Sequence, residues 1–412
     1  MNKRLHISIR LALLAVTMSV SGVAAFGESS TEPGRKDNLT KTENKVILDG
    51  ATTSGDESRP RKKNFINAIL EYLDDSNKEK SHKKIDFSFL GGPFYSSEAK
   101  FGIGLVAAAV YRTNPGDSLC MPSNISIYGD ISTSLLFSIG LSGHHISCSG
   151  GMRLNYDLDF VHFPTKFWGI GYENCSLSSN ETKYTEFSIR AKAQALWRLA
   201  DNLYVGPTAD VDHVSASKIV GDSALWQGQP FTNTSVGAGV AINYDTRDNL
   251  TAPKKGVLLS LEQKFFPRVF GNGNHSFSLT EFSGNIYFPM WKNSTFAGRV
   301  HGRFTYGNPP WSMLSSVGGS YTMRGYYENR YRDKNAIDFT VELRQKIWKR
   351  WGVVVWGGVG SVFRSKGIHF NELLPNGGIG IRWEFKKNVN VRLDYGFGKG
   401  ESGIIFNINE AF

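Results

Sequence analysis

The sequence predicts an all-β chain: a 16-stranded antiparallel transmembrane β-barrel preceded by a short, mostly disordered N-terminal segment with one helix. Three observations carry that prediction: a leader of the export type, many strand-length segments with period-two alternation, and connectors that alternate between short and long. Composition agrees. Of 412 residues, 52 are aromatic and 44 are glycine, against 14 prolines, and hydrophobic residues make up only 40%. After the first thirty residues no run approaches the ~20 consecutive apolar positions of a membrane-spanning helix, which excludes a helical membrane protein. Three cysteines without a Cys-x-x-Cys pair exclude a disulfide-stapled scaffold and the common structural zinc sites.

Residues 1–25 read as a signal peptide. Lys3, Arg4 and Arg10 form its basic part, Leu11 to Val16 its apolar part, and Val23-Ala24-Ala25 a small-residue cleavage site. Residues 26–84 read as a charged periplasmic linker, with 23 charged side chains in 59 positions. Such a stretch cannot bury enough apolar area to offset its ordering entropy. Within it Phe65, Ile66, Ile69, Leu70 and Leu73 follow helical spacing behind Asn64, predicting a short helix over 64–75. That helix either frays in the periplasm or docks against or inside the segment after residue 84.

Residues 85–412 read as the barrel. Val391, Leu393 and Tyr395 alternate with Arg392 and Asp394; Ile379, Ile381, Trp383 and Phe385 alternate with Gly380, Arg382 and Glu384; Phe339, Val341 and Leu343 alternate with Thr340, Glu342 and Arg344. Side chains on a strand point to opposite faces, so each segment has one apolar and one polar face. Sixteen such segments can be drawn, from 85–94 through 203–212 to 389–397 and 403–412. Most are long enough for a tilted strand to cross a bilayer. The connectors 200–202, 348–352 and 386–388 are tight, whereas 213–232, 307–336 and 364–375 are long, as periplasmic turns and outward loops should be. Tyr395, Trp383 and Phe385 lie near strand ends, where amphipathic rings favour the membrane interface. Glu401, Gly403, Phe406 and Ile408, followed by a final Phe412, resemble the C-terminal signal read by the outer-membrane assembly machinery during biogenesis.

The longest loop holds Gly318-Gly319-Ser320-Tyr321-Thr322-Met323-Arg324-Gly325-Tyr326. This resembles the apolar-Arg-Gly-aromatic loop of the outer-membrane assembly-factor superfamily, the bacterial surface antigen barrels of BamA and TamA type. Five predicted strands follow the loop, where the family's sixteen-strand barrel places its sixth outward loop. Tyr244-Asp245-Thr246-Arg247-Asp248-Asn249 and Leu393-Asp394-Tyr395-Gly396-Phe397 resemble two further family segments. The resemblance implies a lumen loop in which Met323, Arg324, Gly325 and Tyr326 fold inward and Arg324 pairs with a carboxylate on the wall. The family's usual acid, in an aromatic-x-Asp-x-Gly motif, falls on Gly358 of Trp356-Gly357-Gly358-Val359-Gly360. Glu342, Glu384 and Asp394 are the candidate substitutes, with Glu342 preferred because it lies on the strand leaving the loop. Family members carry periplasmic POTRA modules, and residues 26–84 are too charged and too poor in strand pattern to build one, so a short form lacking them is expected.

The implied function is assistance in the insertion or translocation of proteins, or lipids, through a laterally gated barrel in the outer membrane of a Gram-negative bacterium, with outer-membrane lipids and client proteins as partners. The alternative is a structural or pore-forming barrel with surface-exposed loops. Gly91-Gly92-Pro93 in the first strand cannot sustain a full ladder, which suits a weak seam. No Gly-x-Ser-x-Gly elbow and no His-Glu-x-x-His pair occurs, so neither catalytic residues nor a metal or other cofactor is expected. The net charge of +10 is spread along the chain rather than clustered, which gives no reason to expect nucleic acid. Cys120 and Cys148 fall in neighbouring turns on the same side, where a disulfide could form in an oxidising compartment.

Overall fold

The computed structural model describes residues 6–7, 85–96, 100–111, 123–148, 150–249, 252–270, 275–319, 321–364, 367–386, 389–408 and 410–412. The chain divides into two compact units, 1–27 with 84–412, and 28–83. The second unit, with the expected helix 64–75, lies outside the described residues, as does all of the expected signal peptide except His6 and Ile7.

Eighteen strands are distinguished among the described residues of the first unit from Ile85 onward. They are β1 (Ile85–Ser96), β2 (Lys100–Tyr111), β3 (Ser123–Ser132), β4 (Phe137–Ile146), β5 (Met152–Phe167), β6 (Thr182–Ala200), β7 (Leu203–Val220), β8 (Thr232–Asp245), β9 (Gly256–Phe266), β10 (Phe277–Phe288), β11 (Ser294–Gly307), β12 (Ser315–Val317), β13 (Tyr331–Asp333), β14 (Asn335–Trp348), β15 (Trp351–Phe363), β16 (Leu374–Lys386), β17 (Val389–Gly398) and β18 (Glu401–Ile408). Leaving aside β12 and β13, each strand pairs antiparallel with the next, so the whole run is a single meander. The short pair β12–β13 forms its own two-stranded sheet inside the loop that joins β11 to β14. Beside β18, His6 and Ile7 pair in parallel with Gly403 and Ile404.

The two faces of this sheet show why the alternation exists. On β16 and β17, Ile381 and Leu393 stand opposite each other, 49% and 46% exposed, while their neighbours Arg382 and Asp394 are 4% and 0% exposed. Ile103, Leu105, Ile127, Ile139, Leu259, Phe339 and Val355 repeat the exposed apolar side. Ser126, Asp130, Gln194, Glu262, Lys264, Asp338, Glu342 and Arg344 repeat the buried polar side. A sheet that hides its charges and displays its apolar residues is stable only where the outer solvent is apolar, as in a bilayer. Among the described residues no helix is long and apolar enough to cross a membrane, so the crossing falls to strands.

Several segments depart from the expected boundaries, β7 and β18 among them. β7 continues to Val220, eight residues beyond the expected 212. From Thr208 to Asp212 its inward side chains are polar; beyond them, Val214 and Ala216 point inward onto an aromatic cluster of Phe167, Tyr184, Trp226 and Trp311. The phase of apolar and polar residues inverts where the strand leaves the membrane, and a reading keyed to an outward apolar face therefore ends too early. β18 stops at Ile408 rather than 412, because Glu410 and Phe412 leave the ladder to engage inner-face arginines. The Cys120–Cys148 bond that the sequence allows involves Cys120, outside the described residues; Cys148 is disulfide-bonded and Cys175 is a buried free thiol.

Leu393→Arg puts a guanidinium on the outward face and is expected to cost up to about 4 kcal/mol of folding free energy near the bilayer midplane. The nearly isosteric Leu393→Ile should cost less than about 1.5 kcal/mol. Urea titration in lipid vesicles, read by heat-modifiable gel mobility, compares the two.

Candidate functional site

The loop from 308 to 334 turns back onto the inner face of the sheet, and its tip rests on β17. Gly325 has φ +109°, and a Cβ there would lie 2.7 Å from the Gly396 carbonyl carbon and the Phe397 nitrogen. A Cβ on Gly396 would in turn lie 2.7 Å from the Arg324 carbonyl oxygen. Two glycines thus let main chain meet main chain, a contact that any side chain at either position would block.

This approach delivers Arg324 into the sheet wall, where it is 1% exposed. Its Nη1 donates to Asp394 Oδ2 at 2.9 Å and its Nη2 to Glu342 Oε1. The guanidinium lies 3.9 Å from the centre of the Trp356 ring, so a cation–π contact covers one face of the plane. Asn376 Nδ2 donates to the Arg324 carbonyl at 3.0 Å. Two of the three candidate acids therefore meet at Arg324. The third, Glu384, does not: it sits toward the turn end of β16 and accepts from Lys346 Nζ at 2.6 Å.

The structure also explains the glycine at 358, where the resemblance leads one to expect Asp. Gly358 lies between Thr340 of β14 and Asn376 of β16. A Cβ there would come within 2.6 Å of both Asn376 Oδ1 and the Phe339 carbonyl oxygen. Asn376 occupies the room a carboxylate would need, and the acids that meet Arg324 stand instead on β14, as Glu342, and on β17, as Asp394.

Around Arg324 the charges alternate in a closed circuit. Glu342 Oε2 accepts from Arg344 Nε at 2.8 Å; Arg344 lies 3.8 Å from Glu410; Glu410 accepts from Arg382 Nε at 2.8 Å; and Arg382 Nη1 donates to Asp394, which returns to Arg324. Arg392 adds a branch, its Nη1 donating to Asp394 Oδ2 at 3.1 Å. Opposite charge beside every buried cation offsets the cost of removing these groups from water. Glu410 is the member that the sequence pattern conceals, since it follows β18. Burial alone would raise its carboxyl pKa, but the guanidiniums of Arg382 and Arg344 hold it below the ordinary value. Its other oxygen accepts from Asn390 Nδ2 at 2.7 Å. Phe412 lies apart from the strand, its main-chain oxygen accepting from Arg344 Nη2 at 2.9 Å and its ring 5.3 Å from the Arg344 guanidinium. Gly403, Phe406 and Ile408 remain on β18, paired with Gly396, Leu393 and Val391. The residues read together as a terminal signal are thus divided between strand and inner cluster.

The rest of the loop is tied to the last hairpin. Tyr326 Oη donates to the Pro375 carbonyl at 2.7 Å and accepts from Lys399 N at 2.8 Å; burial pushes its phenol up to about 12. Tyr327 N donates to Glu401 Oε2 at 2.7 Å, and Arg330 pairs with the same carboxylate. Met323, at φ +48°, is buried with Cys175, Val317, Tyr331, Val362 and Leu374. Cys175 sits on α1 (Tyr172–Ser176) and donates to the Gly169 carbonyl at 3.3 Å, burial pushing its thiol up to about 11.

A meander of long strands that is apolar outside and charged inside, with a loop pinned to its inner wall through Arg324, defines an outer-membrane barrel protein. Residues 126–412 match the model of the Omp85 superfamily domain, and the chain belongs to that superfamily. Solved structures with a similar fold include BamA from Haemophilus ducreyi lacking POTRA domains 1–3, at 13% identity and TM-score 0.50, covering 79% of this chain and 70% of that one. CdiB from Escherichia coli matches at 12% identity and TM-score 0.52, and CdiB from Acinetobacter baumannii at 12% and 0.50; this chain spans 62% and 60% of them. No curated protein matches. The family places the protein in the Gram-negative outer membrane.

Arg324→Ala leaves Glu342 and Asp394 buried with one fewer cation, and a loss of roughly 3–5 kcal/mol is expected. The heat-modification midpoint should fall, and Cys175, whose buried thiol should alkylate slowly in the native protein, should become reactive as the loop lifts. Glu384→Gln should change neither. A separate expectation concerns pH. Because the Glu410 carboxyl is depressed in the fold, its stabilising contribution is complete above its ordinary value of 4.5 and is lost as pH falls through the lower folded value. Stability of the native chain and of Glu410→Gln, measured against pH, should differ by a constant amount near neutrality and converge in strong acid.

Proposed function

We propose that this chain is a sixteen-stranded barrel whose meander closes between β1 and β18, and that it assists insertion or translocation of protein segments, or lipids, at that seam. Its actions are those of binding and conformation, without catalysis. The observation that carries this reading is the path of the loop: one chain segment holds Arg324 against β14 and β17 while its next residues hold β18 through Glu401. A loop so placed senses the position of the last strand. The opposite side of the proposed seam is weak, because Gly91, Gly92 and Pro93 fall inside β1 and proline has no N–H to donate. Edge groups freed there would pair with an incoming client strand by β-augmentation.

In this reading Arg324 and Gly325 are the lock of the lumen loop, Met323 and Tyr326 its packing contacts, and Glu342 and Asp394 the acids that receive it. Gly403, Phe406 and Ile408 serve the chain's own delivery by the assembly machinery, and lipids contact the outward face. A steady open pore fits less well, since the loop that carries Arg324 folds against the inner wall instead of standing clear of it.

Cysteine pairs introduced along β1 and β18 test the seam. Oxidation is expected to abolish assembly or export of clients in cells depleted of the native protein, and reduction to restore it. Full activity of the cross-linked barrel, or a steady conductance of the native barrel in planar bilayers, would favour the structural or pore-forming alternative.

A further inference from the structure

At the turn end of β11, β14, β15, β16 and β17 lies a cavity of about 100 Å³. A single water needs only ~10–15 Å³ of such space. The lining sets five cations, Lys254, Arg344, Lys346, Arg350 and Arg382, against two carboxylates, Glu384 and Glu410. Arg344 and Arg382 are more than nine-tenths buried. Each spends two nitrogens within the charged circuit, Arg344 on Glu342 and Phe412, Arg382 on Glu410 and Asp394. The third nitrogen of each, Nη1 of Arg344 and Nη2 of Arg382, is buried without an acceptor among the described residues.

Buried donors are seldom left unmet, and a charged donor least of all. The two carboxylates of the lining have other partners: Glu384 accepts from Lys346, and Glu410 from Arg382 and Asn390. The exposed cations Lys254 and Arg350 stand at the same cavity, where they would raise the local concentration of anions.

We propose that this cavity binds a phosphate group, received by Arg344 Nη1 and Arg382 Nη2 and drawn in by Lys254 and Arg350. The excess of cations suits a doubly charged phosphate better than a single carboxylate. Forked guanidinium donors are the side chains best matched to phosphate oxygens. The turn end of the strands is also where a bilayer presents its headgroups, so the group arrives either as free phosphate or on a lipid. This site is separate from the seam and does not depend on it.

The test uses the full chain refolded in dodecyl maltoside micelles. Its heat-unfolding midpoint is followed with sodium phosphate and with sodium chloride at matched ionic strength. In parallel the chain is refolded into phosphatidylcholine vesicles with and without phosphatidic acid. Lys254→Ala/Arg350→Ala, which alters exposed side chains and leaves the buried arginines in place, is run beside it. A saturable rise with phosphate beyond that with chloride, weakened about tenfold in the double variant as two exposed charge contacts would supply, assigns the site to the free ion. A rise confined to phosphatidic acid vesicles and lost in the double variant assigns it to a headgroup. If neither ligand exceeds its control, or if both act equally on the double variant, the proposal is overturned.

Discussion

A guanidinium cannot be left charged and unpaired inside a protein, and Arg324 is almost wholly buried. That constraint organises the inner wall around the loop tip. It calls for carboxylates on the two strands within reach, and Glu342 and Asp394 supply them. It calls for a close approach of main chain to main chain, which Gly325 and Gly396 permit. It calls for a flat partner on the open face of the guanidinium, which Trp356 provides. Each carboxylate recruited in this way is itself buried and needs further cations, so the demand spreads to Arg344, Arg382 and Arg392 and from them to Glu410.

The result is a contiguous charged network that joins four pieces of chain far apart in sequence: the loop tip, β14, the β16–β17 hairpin and the residues after β18. Such clusters add little net stability over an apolar core of the same volume, because desolvation opposes the attraction between charges. They do discriminate strongly among arrangements, since a register slip or a displaced loop strands a charge. The geometry therefore favours one position of the loop over alternatives more than it favours the folded state over the unfolded one. With Glu401 holding Tyr327 and Arg330, the loop and the last strand share carboxylates and cannot move independently at no cost.

Much of this is legible in the chain. The alternation along 337–348, 376–386 and 389–397 places Glu342, Arg344, Arg382, Arg392 and Asp394 on one face, because a strand repeats every two residues. Glu342 and Asp394 are among three candidates for that reason. Alternation gives the face but not the depth along the strand, so it does not separate Glu384 from the others; that residue sits nearer the turn and pairs with Lys346. The continuation of β7 is hidden because Val214 and Ala216 point inward to an aromatic cluster beyond the membrane, inverting the phase that marks the strand. Glu410 and Phe412 are hidden for the reverse reason: the alternation of β18, extended to the end of the chain, runs through residues that leave the ladder.

The sequence by itself determined the class of solvent on each side of the sheet and the order of the strands. These follow from local, repeating patterns of apolar and polar residues, which need no knowledge of distant partners. Only the tertiary structure decided which carboxylates receive Arg324, why Gly358 carries no acid and how the residues after β18 enter the charged network. Those outcomes depend on contacts between segments separated by tens of residues, where a few ångströms along a strand separate a buried pair from a solvated one.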